Sequence, residues 1–287
     1  MDKKYELLKD DCINYARITL YRIKALRNFG DVKAGDLGGY IESEKNLSHE
    51  GECWTYGNAC IFDNAKVYED AKVYENAKVF GSAKVYMNAE VFGNAQVFGD
   101  ATIYDNAAIF GRAEIFNKAQ IYNKAKVYGN AWVFNYAKVY NNAEIFGCTR
   151  IHNKAKVYGN AQVSDNAEIL DDAKVCGNTK VFNNALIYRN AVIDNEHIIG
   201  RVSMSFKDIF QYQCKNRMLT AILTEDDKIL YSIGCQENIT EEEFIYRIHN
   251  KDGGLEENPH RAEYLRLIPL INIYFRGELK WTENMNY

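Results

Sequence analysis

Between residues 59 and 193, apolar and polar positions alternate in a six-residue phrase, Ala-x-Val-Tyr-x-Asn, that runs without a single insertion. The first position, from Ala59 to Ala191, holds 21 alanines and two threonines, Thr149 and Thr179, and the position two further on, from Ile61 to Ile193, is Val or Ile in all 23 phrases. Residues at i and i+2 of an extended segment share one face, so both point into a common interior. The residue between them, commonly Lys, Glu or Gln as at Lys66, Lys72, Lys78, Lys84, Glu90 and Gln96, points out. An outward aromatic follows, and then a pair rich in Gly and Asn, such as Gly57-Asn58, Gly93-Asn94, Gly129-Asn130 and Gly159-Asn160. Both residue types accept positive φ, so the pair predicts a corner. So short and constant a period predicts one unit stacked on itself.

The aromatic position carries a second, longer period. Every third one is Tyr at Tyr68, Tyr86, Tyr104, Tyr122, Tyr140 and Tyr158, and Phe at Phe62, Phe80, Phe98, Phe116 and Phe134. The third series, Tyr56, Tyr74, Phe92, Phe110, Tyr128 and Phe146, is mixed. An 18-residue super-period of this kind predicts three sides closing one triangular coil, with residues 18 apart stacked at the strand spacing of about 4.8 Å. The repeat then forms a rod roughly 35 Å long, with a narrow bore of Ala and β-branched residues. The Tyr and Phe files predict outward stacking ladders, and also a surface for a partner or for a second copy.

The flanks break the pattern. Ile18-Thr19-Leu20-Tyr21-Arg22-Ile23-Lys24-Ala25-Leu26 predicts strands covering the first edge. The six-residue register carries back through Cys53, Leu47 and Ile41 on one track, and through Thr55, His49, Ser43 and Leu37 on the other, which starts the first coil near Leu37. Beyond the repeat, Met218 to Thr224 and Lys228 to Cys235 predict a hairpin around Glu225-Asp226-Asp227. Thr240 with Glu243 forms a capping box before a short helix with Phe244, Ile245 and Ile248 on its apolar face. A second helix, starting near Pro259, buries Tyr264, Leu265, Ile268, Ile271 and Phe275, with Pro269 bending or breaking it. The expected organisation is an N-terminal β cap over 1–36, a parallel β-helix of about eight to nine coils over 37–199, and a small α+β domain over 200–287. The last caps the final coil or carries specificity through Glu241-Glu242-Glu243 and Glu256-Glu257.

Composition narrows the class. Of 287 residues 47% are hydrophobic and 26% charged, a balance of soluble chains. No apolar run reaches the roughly 18 residues of a membrane helix, and the first residues, Met1-Asp2-Lys3-Lys4-Tyr5, lack the apolar stretch of a signal peptide. A cytoplasmic location is expected, with no membrane partner. Seven scattered cysteines without a Cys-x-x-Cys pair read as reduced structural residues. The repeat holds 15 basic and 13 acidic groups, so its near-neutral total argues against a nucleic-acid partner.

Ala-x-Val at six-residue spacing resembles the hexapeptide repeat of left-handed parallel β-helices, best known from bacterial acyltransferases. There an aliphatic residue precedes a small one by four, as in Val67 and Ala71 or Val91 and Ala95. Left-handedness is implied by the resemblance alone. The run Asn28-Phe29-Gly30-Asp31-Val32-Lys33-Ala34-Gly35-Asp36-Leu37-Gly38-Gly39-Tyr40, followed by Asn46-Leu47-Ser48-His49-Glu50-Gly51-Glu52-Cys53-Trp54, is similar to the opening of YdcK-like bacterial proteins, often labelled acyltransferases, and of hexapeptide-repeat proteins of phages and prophages.

The resemblance implies an enzyme in which a histidine acts as general base beside a loop that helps hold coenzyme A. No loop interrupts the phrases from Ala59 to Ile193, and the histidines are five: His49, His152, His197, His249 and His260. His152, in the Phe file, is the weak catalytic candidate. No phosphate loop, His-Glu-x-x-His or Gly-x-Ser-x-Gly motif occurs, and no metal site is expected. The expectation is a non-catalytic, cofactor-free binding or assembly protein that engages a protein partner or associates as a dimer or trimer. The phage likeness adds an antagonist of a host factor or defence system as its specific version. The alternative is a coenzyme-A-dependent acyltransferase with sites between trimer subunits.

Overall fold

Strand pairing follows the 18-residue period. In the computed structural model, which describes residues 3–15, 17–182, 185–188, 191–193, 198–199, 209–214, 217–224, 227–233, 236–249 and 261–276, Lys66 pairs with Lys84, Lys72 with Glu90 and Lys78 with Gln96, all in parallel register. The same offset holds as far as Val181, which pairs with Ile199. Three sheets result, one per side of the coil, and eight strands stack from Cys60–Ile61 to Leu186–Ile187 on the side that carries the Phe file. The protein is a parallel β-solenoid built from the six-residue phrase.

Each phrase contributes a two-residue ladder strand, an aromatic and a corner. The alanines from Ala59 to Ala185 and the Val/Ile residues from Ile61 to Ile193 are buried throughout and form one continuous core. Thr149 and Thr179 fit the alanine slot because each hydroxyl donates to the carbonyl three residues earlier, Phe146 O at 2.5 Å and Cys176 O at 2.6 Å. Corners begin with a residue at φ near +60°, glycine at Gly81, Gly93 or Gly111, but also Glu69, Glu75 and Met87. Side-chain amides stack over the corners: Asn117 Nδ2 donates to Asn135 Oδ1 at 2.9 Å, and Asn135 in turn to Asn153 at 3.1 Å.

The first coil departs from the expected register. Ile41 pairs with Ile61 and Leu47 with Val67, an offset of 20, whereas Thr55 pairs with Val73 at 18. Ile41 and Leu47 therefore occupy the Val/Ile track, not the alanine track, and His49 lies outside both. Two extra residues are absorbed between Ser48 and Cys53, where Gly51 sits at φ +66°. The buried Lys4 holds this bulge. Its Nζ donates to Cys53 O at 2.8 Å, Gly51 O at 3.3 Å and Glu50 O at 3.4 Å, with Cys53 Sγ at 3.3 Å. Burial lowers the Lys4 pKa and raises that of Cys53.

Before the coil, β1 (Tyr5–Tyr15) and β2 (Ile18–Ala25) form an antiparallel hairpin that pairs through β2 with β3 (Leu37–Ile41). This covers the open edge of the first coil. The hairpin tip also folds over the outer surface, with Tyr15 packed 5.2 Å from Phe62.

The C-terminal region is a four-stranded antiparallel sheet, Ile209–Cys214, Arg217–Leu223, Ile229–Ile233 and Gln236–Thr240, where two strands were expected. α1 (Glu241–His249) is capped on one side as the Thr240–Glu243 spacing predicts. Glu243 N donates to Thr240 Oγ1 at 3.2 Å, while the Glu243 carboxylate pairs with Arg247 instead of reaching back. α2 (Arg261–Arg276) runs on through Pro269 unbroken. Tyr264, Leu267, Ile268 and Ile271 form its buried side, and Leu265 is only partly covered. Ile222 of the sheet joins the core of the coil. Pro259, the Glu256-Glu257 pair, His197 and His260 lie outside the described residues.

Candidate functional site

Since the bore is filled, the chemistry of the rod lies on its three outward faces. Each carries one file of aromatics at the end of the strand and one file of the residues between Ala and Val/Ile. The physical cause of each file is the 18-residue register, which places chemically like side chains directly above one another.

On the first face the Phe file stacks with centroid spacings of 4.9 Å for Phe62–Phe80, 4.8 Å for Phe80–Phe98, 5.0 Å for Phe98–Phe116 and 4.8 Å for Phe116–Phe134. Phe62 is only 4% exposed, because the hairpin tip covers it, so it leaves the expected surface. Phe80, Phe98, Phe116 and Phe134 are partly exposed. His152 continues the file, its ring 4.7 Å from Phe134 and nearly parallel to it. Its Nε2 lies 2.9 Å from Glu168 Oε1. That pairing and the stacking leave the side chain 14% exposed. Beside the file stand Trp132, 40% exposed, and Arg150, whose guanidinium lies 5.6 Å over the indole ring.

On the second face Tyr68, Tyr86, Tyr104, Tyr122, Tyr140 and Tyr158 stack at 4.8 to 5.2 Å. Their rings face one another, so only edges and hydroxyls are offered outward. Desolvation, with the neighbouring tyrosines and Asp105 adding to it, pushes the Tyr104 pKa up to about 12. Tyr68, Tyr86, Tyr122 and Tyr140 are raised for the same leading reason. The third face stacks Tyr74, Phe92, Phe110, Tyr128 and Phe146. Tyr56 stands edge-on below them, its hydroxyl donating to Asp31 Oδ1 at 2.7 Å.

Folding reveals a file that the sequence reading missed. The outward strand residues of the Tyr face are Lys66, Lys84, Thr102, Gln120, Lys138, Lys156 and Lys174, in register and without one acid. The acids at this position, Glu90, Glu114, Glu144 and Glu168, all fall on the other two faces. Sorting this position at period 18, like the aromatic position, would have shown it; the neutral total concealed it.

His49 is absorbed into the N-terminal cap, its Nδ1 accepting from Lys4 N at 3.2 Å and its ring stacked on Tyr5. His249 ends α1, far in sequence from His152. No cluster of three or more His, Cys, Asp or Glu side chains suited to a metal occurs among the described residues. Nor does any described helix have the length and apolarity to cross a membrane.

These features define the class, a repeat-built parallel β-solenoid whose candidate sites are flat, laddered faces. No known family's sequence model matches the chain, and no curated protein matches it.

Proposed function

We propose that the protein is a non-catalytic binding rod, whose coil faces engage a macromolecular partner or a second copy of the chain. The observation that carries this is the unbroken register from Thr55 to Ile199, which leaves flat aromatic ladders outside and a filled bore inside. The N-terminal hairpin already covers Phe62 and its cluster reaches Phe80, and the same file continues partly exposed through Phe98, Phe116 and Phe134, with Trp132 at its side. The similarity of the opening segment to YdcK-like and phage-associated proteins adds the antagonist of a host factor or defence system as a specific form of this reading.

Hydroxyl-radical footprinting, in dilute buffer, in concentrated protein and in bacterial extract, tests it. Protection of Phe98, Phe116, Phe134 and Trp132 on association is expected. Equal modification of all three faces under every condition overturns it.

A second reading is favoured by one contact. The His152–Glu168 pair is an imidazole oriented by a carboxylate, the arrangement of a general base. In a coenzyme-A-dependent acyltransferase His152 would take the acceptor proton, although no loop among the described residues adjoins it to hold the donor. Saturable binding of acetyl-coenzyme A by calorimetry, lost in His152→Ala, would select this reading over the first.

A further inference from the structure

We infer that the Tyr face, over the coils from Lys118 to Lys174, is a binding site for a single-stranded nucleic acid. This rests on the reading of the coil as a binding rod and names the partner of one face.

Three lysines, Lys138, Lys156 and Lys174, follow one another in the strand file. The corner leading into this face adds Lys118 and Lys154 with Tyr136 between them, stacked through Lys118 N to Asn135 O and Tyr136 N to Asn153 O, both at 2.7 Å. Lys124 stands at the corner that leaves the face. None of these six lysines forms an ion pair among the described residues, in contrast to Lys126 on the third face, which meets Glu144 at 3.2 Å. Among the acids nearby, Asp105 Oδ2 accepts from Asn123 N at 3.0 Å and Asp171 Oδ1 from Asn153 Nδ2 at 2.9 Å. Exposed Asp100 precedes Lys118 and exposed Asp172 follows Lys154 in the same corner file, and the two bound the site at its ends. Like charges directly opposed across a ladder destabilise it, and an anionic occupant relieves that.

The arrangement selects the form of the anion. Lysines lie in files along the rod, while acids stand at the corners below the site, at Asp63, Glu69 and Asp100, and at its upper end, at Asp171 and Asp172, so a flat anionic surface would meet both signs. A flexible strand can follow the lysines alone. Tyr136 is 55% exposed, with Lys118 Nζ 5.4 Å over its ring. That is an exposed aromatic ring with one lysine against it and Lys154 next in the same corner file, a pairing of charge and stacking platform of the kind that holds unpaired bases. The ladder tyrosines are stacked on themselves and add only hydroxyl edges, so recognition is independent of base sequence. A duplex keeps its bases stacked internally and cannot use Tyr136.

Fluorescence anisotropy with labelled oligothymidylate and an RNA of about twelve nucleotides, over a salt series, tests the site. Binding is expected, with log K falling against log salt at about 0.7 per contacted phosphate. Lys138→Glu with Lys156→Glu should weaken it about tenfold or more and flatten the slope. Tyr136→Ala should weaken it with the slope unchanged, and Lys180→Glu on the third face should leave it intact. If the charge reversals unfold the chain, Lys138→Gln with Lys156→Gln replaces them. No binding at low salt, indifference to these variants, or equal binding of a duplex would overturn the inference. So would competition by polyglutamate at equal charge, which would assign the patch to acidic polypeptides. Face protection in footprinting without oligonucleotide binding removes this site and leaves the binding rod standing.

Discussion

At the corners, one backbone conformation is imposed on residues of very different cost. Glycine enters φ near +60° freely, whereas a side chain there costs roughly 1 kcal/mol. Met87 sits at φ +58° and is exposed, so Met87→Gly should raise stability by up to about 1 kcal/mol, less the entropy glycine returns to the unfolded chain. The converse is severe. A Cβ on Gly111 would stand 2.9 Å from Gly129 N, so Gly111→Val should cost more than about 2 kcal/mol through strain and crowding together. Urea denaturation of both variants measures the pair. The corner itself was legible in the Gly-Asn pairs. That Glu69 and Met87 obey the same geometry was not, because the register imposes it against their own preference.

The stacked files and the N-terminal cap behave as elements. Burial within the Tyr ladder favours the neutral phenol, so the folded pKa values lie above the ordinary value near 10. A raised folded pKa supports the fold fully below the unfolded pKa, and that support is lost as pH rises through the folded value. Absorbance titration should therefore show phenol ionisation delayed past about pH 10, coinciding with loss of the β signal as Tyr104 reaches about 12. In the cap, Lys4 donates to three backbone carbonyls, those of Glu50, Gly51 and Cys53. Lys4→Met keeps the length and removes the donors, and should cost about 2 to 3 kcal/mol. Thermal unfolding followed by circular dichroism reads the loss. The sequence track through Ile41 and Leu47 was misplaced because a constant period cannot show where a bulge is inserted.

For the whole molecule, the coil rather than the phrase is the unit of stability, since each coil contacts only the one above and below. Deleting 18 residues, 96–113, keeps every file in register, and the protein should fold with a modest fall in melting temperature. Deleting six, 96–101, turns every later phrase by one side. The Tyr file then sits on the Phe file, and the lysine file is cut. That variant should melt well below the 18-residue deletion in a calorimetric comparison, although it lacks fewer residues. Equal melting temperatures would show that the faces contribute nothing beyond the bore.

Period six alone determines a strand, an outward aromatic and a corner, because Ala and Val/Ile two apart must share an interior. Period 18 determines three sides and three aromatic files, because like residues gain by stacking. The tertiary structure decided what those periods leave open: the first coil lengthened to a 20-residue offset and pinned by Lys4, the hairpin laid over Phe62, the four-stranded C-terminal sheet and the contact of His152 with Glu168. It also decided where charge collects. Net charge is a sum over the chain, and only the wrapping of that chain into a triangle places Lys138, Lys156 and Lys174 in one file and the glutamates in others.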